Sequence, residues 1–142
     1  VIGLDPSAGM LAKARDKVDR DVSLQLIQSA QPFLSTGYPD DTFDAVVSTY
    51  AFHHMGHETK PDAVREMARV LKPGGVIAIG DLIFEDARAE QEALQKYDWL
   101  DEEPFSRLDE LRAEFSRLGM TLDCHRFTPV SWVIHATGVR QL

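Results

Sequence analysis

The stretch Val1-Ile2-Gly3-Leu4-Asp5-Pro6-Ser7-Ala8-Gly9-Met10-Leu11 decides the architecture. Val1 to Leu4 is a short apolar run bounded by Asp5-Pro6, the pattern of a strand buried on both faces. Ser7 is a predicted N-cap, and Met10, Leu11, Ala14 and Val18 follow at helical spacing. Open parallel sheets bind ligands outside the carboxyl ends of their strands, and Asp5 stands at such an end. A carboxylate there can accept two hydrogen bonds from a ribose diol, a charge-assisted contact worth about 1.5–3 kcal/mol. The competing reading makes Asp5 a residue that begins the turn before Pro6.

Outward from this stretch, strands and helices alternate. Leu24 to Ile27 reads as a second strand, and Pro32 to Thr42 as a loop rich in turn residues. Phe43 to Thr49 reads as a third strand. Thr59 with Asp62 resembles a capping box, ahead of the helical face Val64, Met67, Ala68 and Leu71. Lys72-Pro73-Gly74-Gly75 then reads as a helix stop and tight turn into a fourth strand, Val76 to Ile83. Asp86 to Leu100 reads as helix. Ser106 and Asp109 read as caps of a further helix with the stripe Leu108, Leu111, Phe115 and Leu118. Met120 to Phe127 and Ser131 to Thr137 read as an antiparallel hairpin. The order predicts an α/β fold: a Rossmann-like, mostly parallel sheet with helices on both faces and a C-terminal antiparallel hairpin. No linker or repeat interrupts it, so residues 1–142 are expected to form a single domain. The opening at Val1, inside a strand, reads as a piece of a longer protein, truncated at its N-terminus.

Composition narrows the function. The 142 residues are 44% hydrophobic and 27% charged, ordinary for a globular domain. A net charge of −8 argues against gripping a nucleic-acid backbone, which takes a basic face. No apolar run approaches the roughly 20 residues of a membrane span. A lone cysteine, Cys124, excludes internal disulfides and a cysteine-built metal cage, and nothing reads as a signal peptide, so a cytoplasmic location is expected. His53, His54 and His57 lack the helix and glutamate of a zinc motif, and no metal site is expected.

Three segments together resemble a known family. They are Val1 to Ser7 with Met10-Leu11; Phe43-Asp44-Ala45-Val46-Val47-Ser48 with Phe52-His53-His54-Met55; and Arg65-Glu66-Met67-Ala68-Arg69-Val70-Leu71-Lys72-Pro73-Gly74-Gly75. In order and spacing the chain resembles the class I S-adenosylmethionine-dependent methyltransferases over nearly its whole length. The resemblance implies S-adenosyl-L-methionine as cofactor. It implies that Asp5 binds the ribose hydroxyls and that Ser7 and Met10 lie near the ribose and adenine. Ser29 and Ala30 match the place where the family contacts the adenine edge; the usual acid is here Ser29, which implies a weaker, uncharged contact. Ser48 and Thr49 would approach the methionine part. Tyr50, His53 and His54 would line the way to the methyl group, with His54 the first candidate for a general base. Asp81, ending a parallel strand, is placed to face the substrate, or else is a turn residue.

The family's first strand and glycine-rich loop belong about 20 residues before Asp5. In the family that strand lies between those ending here at Leu4 and Thr49. Without it the 142-residue chain, expressed alone, is expected to be unstable and to bind cofactor poorly. The expected reaction is in-line methyl transfer to a small molecule. Nucleic-acid substrates are not expected, because Ser48-Thr49-Tyr50-Ala51-Phe52 stands where amine-methylating enzymes carry Asn/Asp-Pro-Pro-aromatic. The segment Glu85 to Phe105, with Tyr97 and Trp99, sits where the family covers its substrate. It would suit a hydrophobic or cationic molecule, or form an acidic helix with core-facing aromatics. The alternatives are a nicotinamide-dependent oxidoreductase, since Asp5 also suits that ribose, and a non-catalytic cofactor-binding fragment. No tyrosine has a lysine four residues on, the pair of short-chain dehydrogenases. Oligomeric state is not legible in the sequence.

Overall fold

A computed structural model describes residues 1–31 and 33–138. It carries two compact units, Val1–Gly37 and Tyr38–Leu142, each described by itself.

The first unit is strand, helix, strand. β1 (Ile2–Asp5) pairs in parallel with β2 (Gln25–Gln28), Ile2 opposite Gln25 and Asp5 opposite Gln28. Between them runs α1 (Ala8–Lys17). Ser7 caps it as expected, its Oγ accepting from Met10 N at 3.3 Å. Leu11, Ala14 and Val18 are half-buried, whereas Met10 is exposed. β1 is not buried on both faces: Ile2 to Asp5 are only half-covered and Val1 is exposed. Gly3 admits the closest approach in this pair, since a Cβ there would stand 2.8 Å from Leu26 Cδ2.

The second unit holds the core. β3 (Phe43–Thr49), β4 (Leu71–Phe84), β7 (Ser131–Gly138) and β6 (Met120–Arg126) lie in that order across one sheet. β3 runs parallel to β4; β7 is antiparallel to both β4 and β6. A two-residue strand, β5 (Ser106–Arg107), pairs in parallel with the end of β4. Three helices complete the unit: α2 (Lys60–Val70), α3 (Ala87–Lys96) and α4 (Leu108–Arg117). β4 is central and correspondingly apolar, with Ile77, Ile79 and Ile83 fully buried. Ala63, Val64, Met67, Ala68 and Val70 form the buried face of α2. Phe84, Ala93, Leu100, Phe105 and Val130 form a second cluster under α3. Among the described residues the fold is mixed α/β, with four α-helices, a parallel strand pair in the first unit and a sheet of parallel and antiparallel strands in the second.

Several local expectations change. Thr59 does not cap α2: its backbone is helical, and its hydroxyl donates to Gly56 O at 2.9 Å. Asp62 instead pairs with Arg65, so no capping box forms. Ser106 is drawn into pairing with β4, and Asp109 accepts from its own neighbour Glu110 N. The residue at the start of α4 is Arg107, with no side-chain cap. The helix expected over 86–100 ends at Lys96, though Asp86 caps it, accepting from Ala89 N at 2.9 Å.

Lys72-Pro73-Gly74-Gly75 is not a free turn but an irregular opening of β4. Phe43 lies opposite Leu71 and Ala45 opposite Val76, so Lys72 to Gly75 bulge out against Asp44. Lys72 Nζ meets Asp44 Oδ1 at 2.8 Å, and that ammonium holds the Asp44 carboxyl below its ordinary value. Gly74 has φ +78°, a conformation glycine adopts without penalty. A Cβ on Gly75 would stand 2.8 Å from Asp44 O and 2.7 Å from Leu71 Cδ1. Gly75→Ala is therefore expected to lower unfolding stability by about 1–3 kcal/mol through overpacking, read as a lower urea midpoint.

Candidate active site

In the first unit the carboxyl ends of β1 and β2 bring together the residues expected to meet a nucleoside. Asp5 Oδ1 accepts from Ser7 N at 2.7 Å, an Asx turn that leads the chain into α1. Asp5 is therefore a turn residue, yet the turn uses only one carboxylate oxygen. No described residue bonds Oδ2. Asp5 O accepts from Ser29 N at 3.1 Å, which places Ser29 beside Asp5 at the end of the strand pair. Gln28 Nε2 closes the other side, donating to Pro6 O at 3.0 Å. Ser29 is half-buried; Ser7, Met10 and Ala30 are exposed.

In the second unit the end of β3 runs into a tight 3-10 turn, Phe52–His54. Ser48 is buried, and among the described residues its hydroxyl has no partner. Thr49 is exposed. Tyr50 is 62% exposed and has φ +48°, a left-handed conformation uncommon outside glycine. Its N–H still donates to Gly80 O at 2.9 Å, continuing the β3–β4 ladder. Strain of this kind costs of order 1–3 kcal/mol and collects at functional sites.

Asp81 organises this turn. It is not a turn residue: it lies within β4, with its side chain fully enclosed. Its Oδ2 accepts from Phe52 N at 2.7 Å and His53 N at 3.2 Å. Its Oδ1 accepts from Leu82 N at 2.7 Å and meets His53 Nδ1 at 2.5 Å. A carboxylate has about four lone-pair sites, and all four are used. Among these partners His53 Nδ1 is the one side-chain group, the others being backbone N–H groups. The His53 side chain is 11% exposed, and its ring lies against that of His54 with centroids 4.0 Å apart. His54 is exposed and faces no carboxylate partner. Sequence periodicity could not distinguish the two histidines; only the register of β4 shows which one meets Asp81.

Lys60 ties the far side of the turn. It is buried, and its Nζ donates to Met55 O at 2.6 Å and to Pro104 O. Burial pushes its pKa down to about 8, against the opposing pull of Asp81, Glu110, Glu58 and Glu90. No sequence pattern marked this lysine. In the segment after α3, Phe105 is buried in the core, Tyr97 is half-buried and Trp99 is exposed. Cys124 is half-buried on β6 and meets Arg112 Nη2 at 3.2 Å. Among the described residues no group of three or more His, Cys, Asp or Glu is placed to hold a metal ion.

The protein-family description "Methyltransferase domain" matches residues 1–79, more than half of the chain. This chain belongs to the methyltransferase domain family. An uncharacterized methyltransferase of Geobacillus sp. (strain WCH70) is 34% identical to this methyltransferase domain over 145 residues. That match covers 96% of this chain and 66% of the relative, so the chain spans a little under two thirds of the relative's length. Two solved structures share the fold. One is a methyltransferase in complex with the Trm112 methyltransferase activator of Haloferax volcanii, with TM-score 0.76, 19% identity, and coverage of 99% of this chain and 72% of that one. The other is a SAM-dependent methyltransferase from Archaeoglobus fulgidus, with TM-score 0.73, 14% identity, and coverage of 96% and 75%.

Lys60 makes this methyltransferase domain sensitive to alkali in a defined direction. A pKa lowered from 10.5 to about 8 means that the unfolded chain holds the proton more tightly across that interval. Stability contributed at this site therefore rises with pH between about 8 and 10.5. Relative to Lys60→Met, the unmodified protein should gain in urea midpoint between pH 8 and pH 10. At pH 7.5 the variant should be weaker by about 1–3 kcal/mol, because buried carbonyls lose their donor.

Proposed function

We propose that the protein is an S-adenosylmethionine-dependent methyltransferase acting on a small molecule by in-line methyl transfer. The observation that carries the reading is the Asp5 carboxylate. It stands at the carboxyl end of a parallel strand, one oxygen spent on the turn to Ser7 and the other without a described partner. A ribose hydroxyl needs such a charged acceptor, and Oδ2 offers it on a group that the turn holds in place. Membership of the methyltransferase family, and a fold shared with the SAM-dependent protein of Archaeoglobus fulgidus, support the same cofactor.

In this reading Asp5 takes the ribose hydroxyls, and Ser7 and Met10 flank the ribose and adenine. Ser29 and Ala30 offer the adenine edge. Ser48 and Thr49 serve the methionine end, where Thr49 is exposed and the Ser48 hydroxyl has no partner among the described residues. When bound, the cofactor supplies a methyl group already carried by a good leaving group. The protein's own task is then to align the acceptor and exclude water. Tyr50, His53 and His54 form the acceptor side, with Asp81 behind His53. In this reading residues 1–142 belong to a single methyltransferase domain. A reducing cytoplasm suits its single unpaired cysteine, Cys124.

Calorimetry with S-adenosylhomocysteine on the full-length protein tests this. Asp5→Asn keeps an acceptor for Ser7 N but removes the charge. It should weaken binding by roughly 10–100-fold, equivalent to about 1.5–3 kcal/mol, with little change in melting temperature. An unchanged affinity would remove Asp5 from the ribose.

A further inference from the structure

We propose that His53 accepts the proton of the group that is methylated, and that Asp81 is the residue that positions it. The proposal rests on the methyltransferase reading and adds a substrate class: an acceptor that is a neutral O–H or N–H group when it binds.

The argument starts from a buried charge. Asp81 is enclosed in the central strand, where an unpaired carboxylate would cost several kcal/mol. Three backbone N–H groups, from Phe52, His53 and Leu82, already surround it. The fourth contact is a side chain, His53 Nδ1 at 2.5 Å. A carboxylate only accepts, so Nδ1 must be the donor. The neutral ring then carries its lone pair on Nε2, for which no described residue supplies a donor. Asp81 also fixes the ring's direction and would stabilise the imidazolium once Nε2 is protonated.

The surroundings agree. His54 packs against the ring, and most of the His53 side chain is covered. Tyr50, held at φ +48° just before this turn, is exposed beside the same segment. Lys60 pins the turn's exit through Met55 O and links it to Pro104 O. A histidine bonded to a carboxylate and packed against a neighbouring ring is preorganised in the way proton transfer requires. His54 is exposed, and among the described residues it has no carboxylate partner.

The step balances. A lone pair on the acceptor oxygen or nitrogen forms the bond to the methyl carbon. The carbon–sulfur bond breaks and sulfur keeps the pair. The acceptor's proton passes to His53 Nε2, and the resulting imidazolium later returns it to solvent. An acceptor that is already anionic would have no use for the pair.

The test is nitrogen-15 NMR of the imidazoles in the full-length protein loaded with S-adenosylhomocysteine, with phenol as a neutral O–H probe. Without phenol, His53 should show a proton on Nδ1 and an unprotonated Nε2. On adding phenol, the Nε2 resonance of His53 should move upfield, as expected for a nitrogen accepting a hydrogen bond, while that of His54 stays in place. His53→Gln should bind S-adenosylhomocysteine within twofold of the unmodified protein but phenol roughly 5–10-fold more weakly, one hydrogen bond's worth. A proton on Nε2, or an Nε2 resonance unmoved by saturating phenol, overturns the pair while leaving the methyltransferase reading intact. Failure to bind S-adenosylhomocysteine overturns both.

Discussion

One carboxylate in the middle of a sheet governs the second unit. Asp81 sits on β4, where every other constraint favours an apolar side chain, and its charge is tolerated because four donors converge on it. Two of those donors are the first N–H groups of the Phe52–His54 turn. The turn leaving β3 is thus bonded to the neighbouring strand rather than hanging from its own. Lys60 extends the tie from Met55 to Pro104, the residue before the Phe105–Ser106 approach to β5. Burial of the acid and order in the turn are one interaction seen from two sides.

The first unit is held differently. Its candidate groups are arranged by short-range bonds: Asp5 to Ser7, Ser7 to Met10, and Asp5 to Ser29 across one strand pair. None of the residues of α1 is buried. The groups at the end of β1 therefore depend on turn and cap geometry, whereas those around Asp81 depend on burial. Substitutions in the two places should differ accordingly, with the first altering affinity and the second altering the turn itself.

Much of the fold was legible in the sequence because the signals were local. The bounds of β3, Phe43 to Thr49, follow from its apolar run, and the final hairpin from its alternation around Pro129. Ser7 and Asp86 act as caps because nothing competes for their oxygens. Where a competing partner exists, the local rule fails. Thr59 gives its hydroxyl to Gly56, Asp62 goes to Arg65, and Ser106 joins a strand. The glycines after Leu71 looked like a turn, but their purpose is to let β4 bulge past Asp44.

The sequence by itself determined the order of strands and helices, the capped turn at Asp5 and the family resemblance, since each is written in neighbouring residues. Only the tertiary structure decided which histidine meets a carboxylate, that Asp81 is enclosed rather than exposed, and that Lys60 bonds two distant carbonyls. Those facts depend on strand register and burial. A partner 28 residues away, as Asp81 is from His53, leaves no mark on the local pattern.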